Sequence, residues 1–117
     1  NYTLLYKANL LRSNFKKADL MSANLSQSLL EDSDFRQTNL EMTNFSKSDL
    51  RNSLFQGADM KYTDFSYANI SGANFEGGQF FYSRHHAVVD VLTRYGNKGG
   101  IMGSDKEMLK ADLWLMS

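Results

Sequence analysis

Every fifth residue from Leu5 to Phe80 is large and apolar, sixteen positions without an exception. The series runs through Leu10, Phe15, Leu20, Leu25 and Leu30 to Ile70, Phe75 and Phe80. Two residues before each of them the side chain is small, as at Ala8, Ser13, Ala18, Ala23, Thr43 and Ala73. The residue between is Asn or Asp in twelve of the sixteen repeats, the exceptions being Leu4, Leu29, Leu54 and Gln79. The two remaining positions are mostly polar and varied. A period of five scatters around a helix of 3.6 residues per turn and makes no stripe. On a flat strand its successive members would fall on opposite faces. A short strand followed by a corner does fit. The small and the large residue lie two apart and point the same way, and the next two residues turn the chain. Asn and Asp suit such a corner because their side chains bond nearby backbone.

A coil closes when four such sides meet at roughly right angles, which takes twenty residues and makes four coils of residues 1–80. At about 4.8 Å per coil the rod is about 19 Å long. Residue n then lies beside n+20. One inward column becomes a ladder of rings, Phe15, Phe35, Phe55 and Phe75. The interior is filled by side chains and leaves no room for a cofactor, so binding must use the outside or the ends.

The outward columns follow from the same register. Arg12 neighbours Asp32, Glu31 neighbours Arg51 and Glu41 neighbours Lys61. With basic partners in place, the cluster Glu31, Asp32 and Asp34 reads as a solvated face and not as a metal or acid/base site. Lys16, Lys17 and Arg36 lie together with no adjacent acid, and Lys16 faces Arg36 directly, which suits an anionic partner or is simply ordinary surface. A further column runs Ser22, Met42, Tyr62 and Tyr82, with Phe81 next to Tyr82 and Tyr67 around the corner from Tyr62. Aromatic residues and Met are enriched at protein interfaces. The candidate protein-binding residues are therefore Met42, Tyr62, Tyr67, Phe81 and Tyr82, with Lys16, Lys17 and Arg36 as a basic supplement. The chain's own tail is the competing cover for the aromatic stripe.

After Phe80 the five-residue pattern stops. Ser83 to Tyr95 reads as a helix with Val88, Leu92 and Tyr95 on one side, ended by Gly96. Ser104-Asp105-Lys106-Glu107 matches a capping box, and a second helix should follow with Met108, Leu109, Leu113 and Trp114. The expected division is residues 1–82 as solenoid and 83–117 as a helical cap or the start of a helical region. Such a cap would cover the last coil's unpaired backbone and disfavour stacking of a second copy there. His85 and His86 are adjacent, and adjacent residues on a helix point about 100° apart, poor spacing for a metal.

Composition narrows the picture. Thirteen basic residues balance thirteen acidic ones, and there is no cysteine and no proline. There is no thiolate zinc site or disulfide framework, and no global basic field for nucleic acid. No apolar run reaches the roughly 18 residues of a membrane span. No metal, cofactor or catalytic set is expected. The start at Asn1 and the apolar end at Ser117 read as cuts in a longer chain.

Segments such as Ala8-Asn9-Leu10, Ala18-Asp19-Leu20, Ala23-Asn24-Leu25 and Ala73-Asn74-Phe75 resemble the pentapeptide-repeat family. The resemblance covers about two thirds of the chain. It implies an all-β solenoid, a right-handed quadrilateral parallel β-helix of about four coils, here with a C-terminal α-helical cap. It also implies several roles. The first is a non-catalytic protein–protein interaction or scaffold module with a protein partner. The expected setting is a fragment of a larger bacterial protein, cytoplasmic or secreted into a host as an effector, such as the β-helix preceding a HECT-like ubiquitin ligase. The second is protection of a topoisomerase such as gyrase by DNA mimicry. With eight basic and nine acidic residues among 1–80, the rod lacks the acidic field that such mimicry requires.

Overall fold

The computed structural model describes residues 4–80, 82–90 and 93. The chain winds as a parallel β-coil of twenty residues per turn. Parallel bridges link each residue before the large apolar one to its counterpart a full coil on, from Leu4 with Asn24 to Asn69 with Val89. Two bonds join the coils at every side. Leu10 N–H donates upward to Leu29 O at 2.8 Å, while Leu29 N–H donates downward to Ala8 O at 2.9 Å. A third runs at the corner, as from Lys17 N–H to Arg36 O at 3.0 Å.

Each corner is a four-residue turn closed by a bond such as Ala18 N–H to Phe15 O at 2.9 Å. The third turn residue is left-handed, which is the arrangement of a type II turn. Fourteen non-glycine residues hold positive φ at this position, among them Lys17, Met42, Tyr62, Tyr67 and Tyr82. Gly57, Gly72 and Gly77 occupy it elsewhere. A left-handed non-glycine residue costs on the order of 1 kcal/mol, so the ladder must overcome this cost at almost every corner.

The Asn and Asp positions act as expected. In eleven repeats the Oδ1 of this residue accepts the N–H two residues later, as in Asn14 with Lys16 at 3.0 Å and Asn44 with Ser46 at 2.9 Å. The small position has a second task beyond fitting a crowded wall. Where it is Ser or Thr, the hydroxyl donates to the carbonyl of an inward residue one coil below. Thr43 Oγ1 reaches Leu20 O at 2.8 Å, Ser53 Oγ reaches Leu30 O at 2.8 Å and Thr63 Oγ1 reaches Leu40 O at 2.6 Å. Ser48 differs, donating to Phe45 O in its own coil.

The core is one continuous cluster from Leu20 to Phe80, with Leu5, Leu10 and Phe15 packed more openly at the first coil. The expected ring ladder is present: Phe15 on Phe35 at 5.0 Å, Phe35 on Phe55 at 5.0 Å and Phe55 on Phe75 at 4.6 Å, all nearly parallel. A second ladder on the opposite wall stacks Phe45 on Phe65 at 5.4 Å. The two meet edge to face, as Phe35 with Phe45 at 5.3 Å and Phe65 with Phe75 at 5.6 Å. Offset stacks and edge contacts are the geometries that ring quadrupoles favour.

The expected helix from Ser83 is corrected by the structure. Among the described residues no helix forms, and Ser83 to Asp90 continues the coil. Arg84 and Val89 bridge Asp64 and Asn69, and their N–H groups donate to Thr63 O at 2.8 Å and Ala68 O at 2.9 Å. Thr93 keeps the register as well: its Oγ1 donates to Ile70 O at 2.6 Å, the same cross-coil bond made by Thr43 and Thr63. The physical reason is that a regular edge of unpaired groups on the coil below offers bonds to any chain of the right stride. Ser83 and Val88 fill the small position tolerably, and His85 fills the inward one. Apart from Thr93, the rest of the first expected helix and the whole second one lie outside the described residues.

Candidate functional site

His85 takes the inward place that Phe or Leu holds elsewhere. It is buried, lies 5.1 Å from the Phe65 ring and 5.3 Å from the Phe80 ring, and its Nε2 is 2.9 Å from Ser83 Oγ. Burial pushes its pKa down from 6.5 to about 4, against a smaller opposing pull from Asp64. This is a core residue and not a surface base. Its neighbour His86 points to a different environment, so the pair does not converge on one ligand. Among the described residues no group of His, Asp or Glu is placed to hold a metal.

The exposed aromatic positions frame one side of the rod. Residues 43–45, 63–65 and 83–85 form its stacked strands. Met42, Tyr62 and Tyr82 stand at the corner before these strands, and Tyr67 stands at the corner after them. Each of the four is about half exposed. Tyr62 and Tyr82 stack at 5.7 Å between ring centres, so the column presents a joined aromatic surface. Phe81 lies outside the described residues.

The second corner borders a groove of about 390 Å³. Lys47, Tyr67, Arg84 and His86 line it together with Asp64 and two serines. Tyr67 meets the His86 ring edge to face at 5.2 Å. His86 Nδ1 is buried without a hydrogen-bond partner. Asp64 Oδ1 is engaged by the Ser66 N–H at 2.9 Å. Lys47 and Arg84 are not among the candidate residues the sequence pattern singles out. The available signal was the stride itself: counting on by fives past Phe80 puts Arg84 where Asn or Asp stands in most repeats.

The basic cluster needs correction. Arg36 does have an adjacent acid, because Asp34 binds it through two bonds, Nε to Oδ1 at 2.9 Å and Nη2 to Oδ2 at 2.7 Å. That fork holds the Asp34 carboxyl below its ordinary value and raises Arg36, with Lys16 adding a weaker pull on Asp34. The expectation paired residues a coil apart, whereas positions two apart in one repeat flank the same corner and lie nearer. Arg51 shows both kinds of pairing, with Asp49 in its own repeat at 2.7 Å and Glu31 one coil below at 3.4 Å. Lys61 pairs with Asp59 at 3.4 Å in place of the expected Glu41. Arg12 and Asp32 form no ion pair among the described residues. Lys16 and Lys17 are exposed.

Known proteins place the chain in a class. The family described as the pentapeptide repeat region matches residues 2–65, and the chain belongs to that family, whose solved members imply a right-handed β-helix. One similar structure is alr5209, a pentapeptide repeat protein from Nostoc Pcc 7120, at 25% identity and TM-score 0.67, covering 80% of this chain and 81% of that one. Another is Rfr23 from the cyanobacterium Cyanothece 51142, at 23% identity and TM-score 0.44, covering 79% and 87%. QnrB1, a plasmid-mediated fluoroquinolone resistance protein, matches at 18% identity and TM-score 0.39, covering 79% and 61%. No curated protein matches the chain.

Proposed function

We propose that this chain is a non-catalytic protein–protein interaction module whose docking surface is the side bounded by Met42, Tyr62 and Tyr82 on one corner and Tyr67 on the other. The observation that carries the reading is the half-exposed, mutually stacked Tyr62 and Tyr82 beside Met42. Tyr offers a large contact area with few rotatable bonds and tends to dominate interface energetics. A filled interior supports the same reading, because it leaves the outer surface as the place for recognition. Lys16 and Lys17 are a secondary candidate contact; Arg36, already forked onto Asp34, is not. The parent we favour is a larger bacterial protein, cytoplasmic or a secreted effector, in which the rod precedes another domain such as a HECT-like ligase; that setting rests on the family resemblance. Gyrase protection is not proposed, since the QnrB1 likeness is too distant to argue from and the charge balance does not favour mimicry.

A photo-crosslinker at position 62, compared with one at exposed Asn52, tests the proposal. Capture at position 62 should exceed that at 52. In separate affinity capture with no crosslinker, Tyr62→Ala with Tyr82→Ala should abolish partner binding while the β-type circular dichroism spectrum stays unchanged. Equal capture at both positions, or unfolding of the double variant, would show the column to be structural.

A further inference from the structure

We propose that the groove between Lys47, Tyr67, Arg84 and His86 is a binding site for a phosphate oxyanion. The argument begins with the stride. Arg84 stands in the outward register where twelve earlier repeats carry Asn or Asp, and in eleven of them the side chain folds back to accept its own corner N–H. A guanidinium has no acceptor, so Arg84 cannot close its corner this way and its side chain is released toward the groove. Among the described residues neither Arg84 nor Lys47 forms an ion pair, although Asp34, Asp49 and Asp59 each pair with a cation in their own repeats.

The donors approach from three levels of the rod. Lys47 rises from the corner below, Tyr67 stands directly above it in the same column, and Arg84 and His86 come from the coil above. His86 is held by the Tyr67 ring at 5.2 Å and lines the groove of about 390 Å³, and its Nδ1 is buried with no hydrogen-bond partner. Two cations without ion-pair partners in one groove are the condition an anion relieves, and the His86 ring adds a donor there in the tautomer that carries its proton on Nδ1. Arg supplies a planar fork and Lys a point charge, the pairing that phosphate recognition commonly uses. Asp64 lies in the same groove and keeps its negative charge while its Oδ1 accepts the Ser66 N–H, so two cations, Lys47 and Arg84, against one carboxylate leave the site net cationic. A tetrahedral dianion can meet donors on several sides at once, which a flat carboxylate does less well.

Inorganic phosphate is the direct probe, titrated at constant ionic strength and followed by amide and His ring shifts. The expected result is saturable binding with shifts confined to residues 47, 66–67 and 84–86. Arg84→Gln and Lys47→Gln should each weaken it roughly tenfold or more, while Tyr62→Ala leaves it unchanged. Acetate run in parallel should bind more weakly. Lys47→Gln changes an exposed corner residue, so it reports even if Arg84→Gln disturbs the last coil. The absence of saturable binding, undiminished binding by the folded variants, or acetate binding as tightly as phosphate would overturn the assignment.

Discussion

The central coils and the stretch from Ser83 to Asp90 follow one backbone course and differ in most side chains. Between Leu20 and Phe80 each inward place is aliphatic or aromatic and fully enclosed. Past Phe80 the inward place of the stride holds His85, which is buried, and then Asp90, which is exposed, and the Asn/Asp place holds Arg84 and Val89. The cross-coil bonds nevertheless persist, down to the Thr93 hydroxyl on Ile70 O. The large apolar residue therefore supplies stability, whereas the stride is imposed by the coil below, through its row of unpaired carbonyls and N–H groups. A template of this kind tolerates a failing sequence pattern for at least two more repeats.

The largest separation of the two regions should come from their inward residues. Phe55→Ala removes a ring stacked on both sides and should cost about 3–5 kcal/mol in denaturant unfolding. His85→Ala should cost clearly less at neutral pH. Equal losses would mean that the last side packs as tightly as the centre.

Acid should act next, and first on the last side. His85 is held near pKa 4 when folded against 6.5 when exposed, so the unfolded chain binds a proton that the folded chain refuses. Stability is then complete above pH 6.5 and falls as pH drops toward 4, by about 3 kcal/mol at pH 4. The Asp34 and Asp49 carboxyls, lowered from 3.8 by bonds from Arg36 and Arg51, lose their contribution only as pH falls below 3.8. The two windows are distinct. His85→Phe should flatten the stability profile between pH 6.5 and 4, measured by urea midpoints; an unchanged slope would place the titrating group elsewhere.

Smaller effects probe the template itself. Thr63→Val deletes a hydroxyl bond to Leu40 O and should cost about 1 kcal/mol. Asn44→Ala leaves the Ser46 N–H without its acceptor and should cost about 0.5–1.5 kcal/mol. The reverse change, Leu54→Asn, should recover a few tenths of a kcal/mol at a corner that lacks the bond. If these three variants have no effect on thermal unfolding, corner and wall bonds are secondary to the core.

Much of this was legible in the sequence because the interior of the rod is periodic. Sixteen inward residues in step fix the coil length, the Phe15 ladder and the part played by Asn and Asp. The second ladder, Phe45 on Phe65, was equally available from the n+20 rule. What misled was the region where two periodicities compete: Val88 and Leu92 fit a helical stripe, and nothing in Ser83 to Asp90 alone reports that an open edge waits beneath it. The site was less legible for a related reason. Tyr62 and Tyr82 could be stacked by counting, but Arg36 was misread because its nearest acid, Asp34, sits two residues away at the same corner and not one coil away. Arg84 stands out only when the stride is counted past Phe80, and Lys47 gains meaning only from Arg84 two coils above it.

The central claim is that the coil template carries the chain through Ser83 to Asp90. Amide exchange with backbone chemical shifts over these residues tests it most directly. The account predicts extended carbon shifts and slowed exchange at Arg84 and Val89, whose N–H groups bond to Thr63 and Ala68. Helical shifts from Ser83 onward, or unprotected amides at both positions, would contradict it.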